Sequence, residues 1–298
     1  MNREARGHLA ALFTILLWAM TYISTKVLLE DFQPAEILLL RTALGYVTLV
    51  VLSPRPLKTS GWKQELLFAA AGVSGVTIYY LLQNIALSYT LAANVSIILS
   101  TAPFFTALLG WVAWRDRDGI RPLFFVGFVL AIAGIAMLSL GGENAELHIA
   151  GDLMTLASAI VWGCYALLSK KIGAYGFSTL RATRRIFFWG LLFMLPIMPL
   201  FGLHITPEAV LQSRNLLNLL YLGVGASALC FVTWNYAVKM IGAVATSVYI
   251  YIEPVITVIS SALILREPIS GFTIAGIALA LIGLILSGKR ISARIKAL

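Results

Sequence analysis

Apolar residues come in long runs, separated by short polar or turn-rich breaks such as Ser53-Pro54-Arg55-Pro56, Gly141-Gly142 and Thr206-Pro207. A helix that crosses a bilayer needs roughly 20 mostly apolar residues. The runs predict ten such helices, at 8–29, 34–52, 64–84, 91–113, 121–141, 150–172, 178–201, 215–238, 242–265 and 271–288. The expected fold class is all-α, a polytopic membrane protein of ten transmembrane helices. Arg3 and Arg6 before an apolar stretch suggest a secretory leader. That stretch runs from His8 to about Leu29, too long for a leader's apolar region, and no cleavage site follows. It is read as helix 1.

Composition agrees with lipid as the solvent. Hydrophobic residues make up 60% of the chain and charged ones 12%, against about half and about a quarter in a soluble domain. The net charge of +9 is explained by topology, with no signature of nucleic-acid binding. With the N-terminus in the cytoplasm and loops assigned alternately, 18 of the 22 basic residues fall inside. Lys26, Arg214 and Arg266 fall outside, and Arg41 lies within helix 2. Such asymmetry predicts ten crossings of a cytoplasmic membrane with both termini cytoplasmic. Cys164 and Cys230 sit inside apolar runs and read as small packing residues, not a disulfide framework.

The chain repeats itself. Gly7, Leu9, Trp18 and Lys26 recur at a fixed offset as Gly151, Leu153, Trp162 and Lys170. At a second offset Gly72-Val73, Asn84, Ala86, Ala92, Ser96, Pro103 and Arg115-Asp116 recur as Gly223-Val224, Asn235, Ala237, Ala243, Ser247, Pro254 and Arg266-Glu267. Gly127 and Gly134 recur as Gly276 and Gly283. This predicts two units, 1–142 and 143–298, of five helices each. Five is odd, so the second unit enters the membrane upside down. Inverted repeats suit alternating access around a site near the midplane, although some channels are also built this way.

These features resemble the drug/metabolite transporter superfamily, in particular its EamA-type ten-helix exporters. The resemblance covers nearly the whole chain. It rests on the five-plus-five plan, the prolines within helices 4 and 9, the acids closing those helices (Asp116, Glu267) and the glycine-rich helices 5 and 10. Asp116 departs from the commoner Glu. The resemblance implies a central cavity lined by helices 1, 3, 4, 6, 8 and 9, with helices 5 and 10 peripheral. It also implies export of amino acids or related metabolites, and the aromatic content is similar to that of aromatic amino-acid exporters.

The candidate substrate-binding residues are Trp18, Tyr22, Tyr79, Tyr80, Gln83, Asn84, Ser96, Trp162, Tyr165, Trp234, Asn235, Tyr249 and Glu253. Tryptophan prefers the membrane interface, so Trp18 and Trp162 at matching mid-depth positions stand out. They read as walls of a cavity or as helix packing, and Tyr22 and Tyr165 lie about one turn away on the same faces. Tyr79, Tyr80, Gln83 and Asn84 close helix 3. Amides at that depth need partners, so Asn84 and Asn235 read as interhelical hydrogen bonds or as gates at opposite mouths. Pro103 and Pro254 free the carbonyls four residues earlier, Leu99 and Ile250, and kink their helices. They are the candidate hinges. Glu253 is an acid near the centre of helix 9, a functional hypothesis at such depth. It could bind an ammonium group, carry a proton, or simply hydrogen-bond beside the kink. Arg41, Lys26 and Lys170 read as snorkelling, paired or anchoring residues.

Other chemistries find no support. No phosphate-binding G-x-x-x-x-G-K-[ST] loop, H-E-x-x-H motif or G-x-S-x-G elbow occurs, so no catalytic residue, metal or cofactor is expected. A channel has no evident filter. Helix 1 lacks the embedded Glu that small multidrug exporters of the same superfamily use. The expected protein is a secondary transporter or facilitator, a monomer or weak homodimer, whose partners are a small molecule and the lipid bilayer. The alternatives are an exporter of other metabolites or drugs, a channel, and a membrane-embedded enzyme.

Overall fold

The computed structural model describes residues 3–114, 122–140 and 145–296. It contains helices and, among the described residues, no strand. The chain runs through α1 (Arg3–Leu28), α2 (Pro34–Leu52), α3 (Trp62–Tyr89), α4 (Ala92–Ala113), α5 (Pro122–Leu140), α6 (Ala145–Ala174), α7 (Thr179–Met194), α8 (Ser213–Ile241), α9 (Ala243–Leu265) and α10 (Gly271–Lys296). Seven of these, α1–α4, α6, α8 and α9, are long and apolar enough to cross a membrane. Shorter apolar stretches, Pro122–Met137 and Ile274–Gly283, lie in α5 and α10. The protein is a polytopic α-helical membrane protein.

Several ends differ from the sequence reading. Helix α3 runs on to Tyr89, so Asn84 lies more than a turn before its end. The expected helix 178–201 is shorter. It stops at Met194 before Pro196, and Pro199 then starts a single 3-10 turn, Met198–Phe201. Proline lacks the N–H that would continue an α-helix. The boundary between the two expected five-helix units, at 142 and 143, lies outside the described residues, as does Asp116.

Contacts recur in swapped form, as a pseudo-two-fold axis requires. A Cβ on Gly72 of α3 would meet Gly190 of α7, and one on Gly223 of α8 would meet Leu44 of α2. Likewise Gly7 of α1 abuts Met240 and Ile241 of α8, while Gly151 of α6 abuts Ala86 and Thr90 of α3. In the outer pair, Gly134 abuts Gly276 and Ala280 while Gly283 abuts Gly127 and Ala131. As the number rises along α5 it falls along α10, so these two equivalent helices are antiparallel. Here the two glycine stripes meet each other.

Several long helices are irregular, two of them at equivalent positions. A π-helical stretch interrupts α3 at Val73–Ile78, and another interrupts α8 at Tyr221–Leu229, the equivalent region. Helix α1 is broken by a turn at Ala19–Met20. Helix α4 breaks at Ser100–Thr101, just before Pro103. Helix α9 passes through a 3-10 stretch, Val248–Ile252, just before Pro254. The Ile250 carbonyl is not left free, because the Glu253 N–H takes it up. The tighter turn supplies the partner that the proline denies. Local π and 3-10 geometry in a long helix is frequent where function needs backbone freedom.

Candidate functional site

The irregular stretches surround one aromatic cluster between the two halves. Trp18 of α1 and Trp162 of α6 do not face each other across a space. Their rings touch edge to face, with centroids 5.2 Å apart. Trp234 of α8 closes on both, at 5.1 Å from Trp18 and 5.4 Å from Trp162. Tyr79 and Tyr165 flank Trp162 at 4.7 and 4.9 Å. Trp18 is 7% exposed, while Trp234 and Tyr165 are wholly buried. The rings therefore fill the space that the sequence reading assigned to a cavity.

Two phenylalanines missed from sequence belong here. Phe231 contacts Trp18, Tyr80, Trp162 and Tyr165, and it rests on Phe187 at 5.0 Å. Phe231 lies three residues before Trp234, one helical turn, and that spacing was the available signal. Phe187 comes from α7, whose arginine-rich start hid its apolar face.

The cluster is apolar in body but carries unmet polar groups. The Trp18 indole N–H donates to the Ala226 carbonyl in the π-helical stretch of α8, at 2.9 Å. The indole nitrogens of Trp162 and Trp234 have no partner, nor does Oε1 of Gln83 or Oδ1 of Asn84. Most buried polar groups in folded proteins are paired, and each orphan costs about 1–3 kcal/mol. The two indole donors lie side by side in the cluster and can be completed by another molecule.

The acid is anchored beside this cluster. Tyr22 of α1 donates its hydroxyl to Oε2 of Glu253 at 2.7 Å, and both residues are buried. One turn further along α9, Thr257 donates to the carbonyl of Ala19, at the break in α1. The broken backbones of α1 and α9 thus meet around Glu253.

Asn84 and Asn235 occupy equivalent positions in different surroundings. Both polar atoms of Asn235 are bonded: Tyr165 and Ser169 donate to its Oδ1, and its amide donates to Thr183. Asn84 has one bond, from its amide to the carbonyl of Pro34 at 3.1 Å. Two other candidates sit apart from the rings. Ser96 is buried and turns back on its own helix, donating to Ala93, while its counterpart Ser247 has an unpartnered hydroxyl. Tyr249 pairs with Nδ1 of His8 at 2.8 Å, outside the aromatic cluster.

Arg41 departs furthest from its reading. It neither snorkels nor forms an ion pair among the described residues; it is fully buried. Its guanidinium lies over the Tyr80 ring, 3.8 Å from the centroid, and Nε donates to Ser227 at 3.1 Å. Lys26 lies 3.9 Å from Glu267, whose carboxylate also accepts the first backbone N–H groups of α4, from Ala92 and Ala93. The free cysteines, half-buried Cys164 and buried Cys230, are not paired.

A second concavity, of about 190 Å³, lies away from the rings among Tyr46, Leu57, Arg181, Arg184, Arg185 and Phe188. Two of its three arginines have structural partners: Arg184 donates to the carbonyl of Ser53 and Arg185 to Glu65. Among the described residues no group of three His, Cys, Asp or Glu could hold a metal ion.

The comparisons with known proteins agree with this architecture. A solved crystal structure of 18% identity superimposes with a TM-score of 0.68, covering 97% of this chain and 99% of that one. An uncharacterized transporter of Archaeoglobus fulgidus is 29% identical, over 92% of this chain and 94% of its own length. A protein of Streptantibioticus cattleyicolor named "Probable terminal-alkyne amino-acid exporter" is 26% identical, over 94% of this chain and 93% of its own. One of Escherichia coli named "Probable amino-acid metabolite efflux pump" is 25% identical over 92% of each. The EamA-like transporter family matches twice, over residues 5–140 and 149–288. With both halves matched, the chain belongs to the EamA-like transporter family, and it is a transporter, not an enzyme.

Proposed function

We propose that this transporter exports amino acids across the cytoplasmic membrane, aromatic or other hydrophobic ones first, by alternating access. The observation that carries the reading is the closed aromatic cluster between the two halves, rimmed by unmet polar groups and by Glu253. Such a cluster opens by parting its rings. An aromatic or large apolar side chain replaces the lost ring contacts, and the unmet donors and acceptors bind the polar end. Glu253 offers a carboxylate for an ammonium group. The prolines Pro103 and Pro254, next to broken backbone, are the proposed hinges. Names of relatives such as amino-acid exporter and amino-acid metabolite efflux pump support the substrate class.

The proposed topology has ten crossings and two inverted units, 1–142 and 143–298, with both termini cytoplasmic. Transport is tested with purified protein in liposomes, by counterflow of the twenty amino acids with and without a pH gradient. Saturable exchange of phenylalanine, tryptophan or leucine, and weaker exchange of alanine, is expected. The absence of saturable flux for every amino acid would refute the reading. Topology is tested by labelling Glu146→Cys in a chain without Cys164 and Cys230. Labelling from the cytoplasm alone would refute ten crossings.

A further inference from the structure

We infer that Arg41 binds the carboxylate of the transported molecule. The inference deepens the proposed export of amino acids by naming the group that recognises their acid end.

Arginine keeps its charge in proteins and carries five N–H donors in a planar fork. Arg41 has none of its surface in solvent and no acidic partner among the described residues. Ser227 occupies Nε and the Tyr80 ring occupies one face, but Nη2 has no acceptor at all. A charged group within membrane helices is costly and normally faces a partner, a cavity or a pathway. A carboxylate supplies what this guanidinium lacks, because two oxygens match two parallel N–H groups and the bond is charge-assisted.

The position fits. Tyr80, beneath the guanidinium, is in ring contact with Tyr79, and Tyr79 with Trp162. Arg41 therefore adjoins the aromatic cluster from α2 while Glu253 adjoins it from α9. Ser227 belongs to the same π-helical stretch whose Ala226 carbonyl holds Trp18. Parting the rings exposes the free edge of Arg41 to the space they leave. A zwitterion with an apolar side chain then meets a cation, an anion and aromatic walls.

The test compares a ligand pair that differs only in the acid group, and adds an acid without the ammonium group. Phenylalanine, phenylalaninamide and phenylacetate are titrated against the purified full-length protein, with tryptophan fluorescence and thermal stabilisation as readouts. Wild type should bind phenylalanine at least about tenfold more tightly than its amide, the discrimination expected of a charge-assisted pair. Phenylacetate should compete. In Arg41→Gln the preference for acid over amide should fall to about one, with binding of the amide little changed. Should Arg41→Gln fail to fold, Arg41→Lys should lose most of the preference, since an ammonium cannot form the paired bonds. A purely structural Arg41 would alter stability but leave the acid-to-amide ratio intact, and that result would overturn the inference. So would equal binding of acid and amide, or no binding of either carboxylate, by wild type. Acid-selective binding without amino-acid flux would keep Arg41 and refute amino-acid export. Flux with no acid preference would do the reverse.

Discussion

The two halves meet in two very different ways. At the periphery, α5 and α10 cross at glycines, and a Cβ on Gly134 would fall 2.6 Å from the backbone of Gly276 and Ala280. On Gly283 it would fall 2.4 Å from the carbonyl of Gly127. At the centre, Trp18, Trp162 and Trp234 meet through large rings and leave indole donors unmet. The first contact is backbone against backbone, with no polar side chain to satisfy and no room to yield. The second is made of side chains that can rotate away, on helices whose backbones are already irregular. Under the proposed alternating access, the difference separates a seam that holds the halves together from a surface on which they would part.

The largest effect should come from the seam. Gly134→Leu places a branched side chain where even a Cβ collides with backbone. Overpacking of this kind costs typically 1–3 kcal/mol and sometimes more, and about 3 kcal/mol is expected here. Thermal unfolding in detergent measures it. The folded fraction should keep its substrate preference; a changed preference would place the seam in the binding surface.

Next comes the centre. Trp18→Ala removes ring contacts with Trp162, Phe231 and Trp234. Ring pairs are worth roughly 0.5–1.5 kcal/mol beyond area burial. The expected loss is about tenfold in affinity for an aromatic amino acid, or ~1.4 kcal/mol, and less for alanine. Equal losses for both in competitive transport would make the tryptophans structural.

A smaller effect is expected of Tyr22→Phe. It removes the 2.7 Å bond to Glu253 and nothing else of the ring. A single hydrogen bond contributes about 1 kcal/mol net, so apparent affinity should fall about fivefold with little change in unfolding temperature. An unchanged affinity would place Glu253 outside the binding surface.

The smallest effect belongs to the surface. Glu30 lies just after α1 and accepts a bond from Arg214 at 2.7 Å, with both side chains about half exposed. That bond holds the Glu30 carboxyl below its ordinary range. A depressed folded value means the stabilisation is present above the unfolded value and fades as pH falls through the folded one. Exposed pairs contribute little, because water and salt screen them. Glu30→Gln should therefore shift unfolding slightly at neutral pH and not at all in strong acid. An equal shift at both would exclude the ion pair as its cause.

Much of the aromatic cluster was legible because the repeat in the sequence pointed to it. Trp18 and Trp162 stood at matching positions, and the structure brings them into contact. Their neighbours Tyr165, Tyr79 and Trp234 joined them, whereas Tyr249 turned to His8 and Ser96 to its own backbone. Spacing places a residue on a helix face, but not against a particular neighbour. The π-helical stretches at Val73–Ile78 and Tyr221–Leu229 had no sequence signature and rotated the faces that follow them.

The sequence by itself determined the solvent and the helical class of this protein, and it carries an internal repeat. Those depend on local and additive properties: the length of apolar runs, the placement of Lys and Arg, and the recurrence of Gly, Trp and Pro. Only the tertiary structure decided which polar groups find partners. Both polar atoms of Asn235 are bonded while the Asn84 oxygen is not, although the two are equivalent in sequence. Arg41 passed for a snorkelling side chain because its depth and direction are set by α2 packing on α8, where Gly223 lets the helices approach. Whether a buried charge is paired depends on atoms distant in sequence, and no local pattern encodes that.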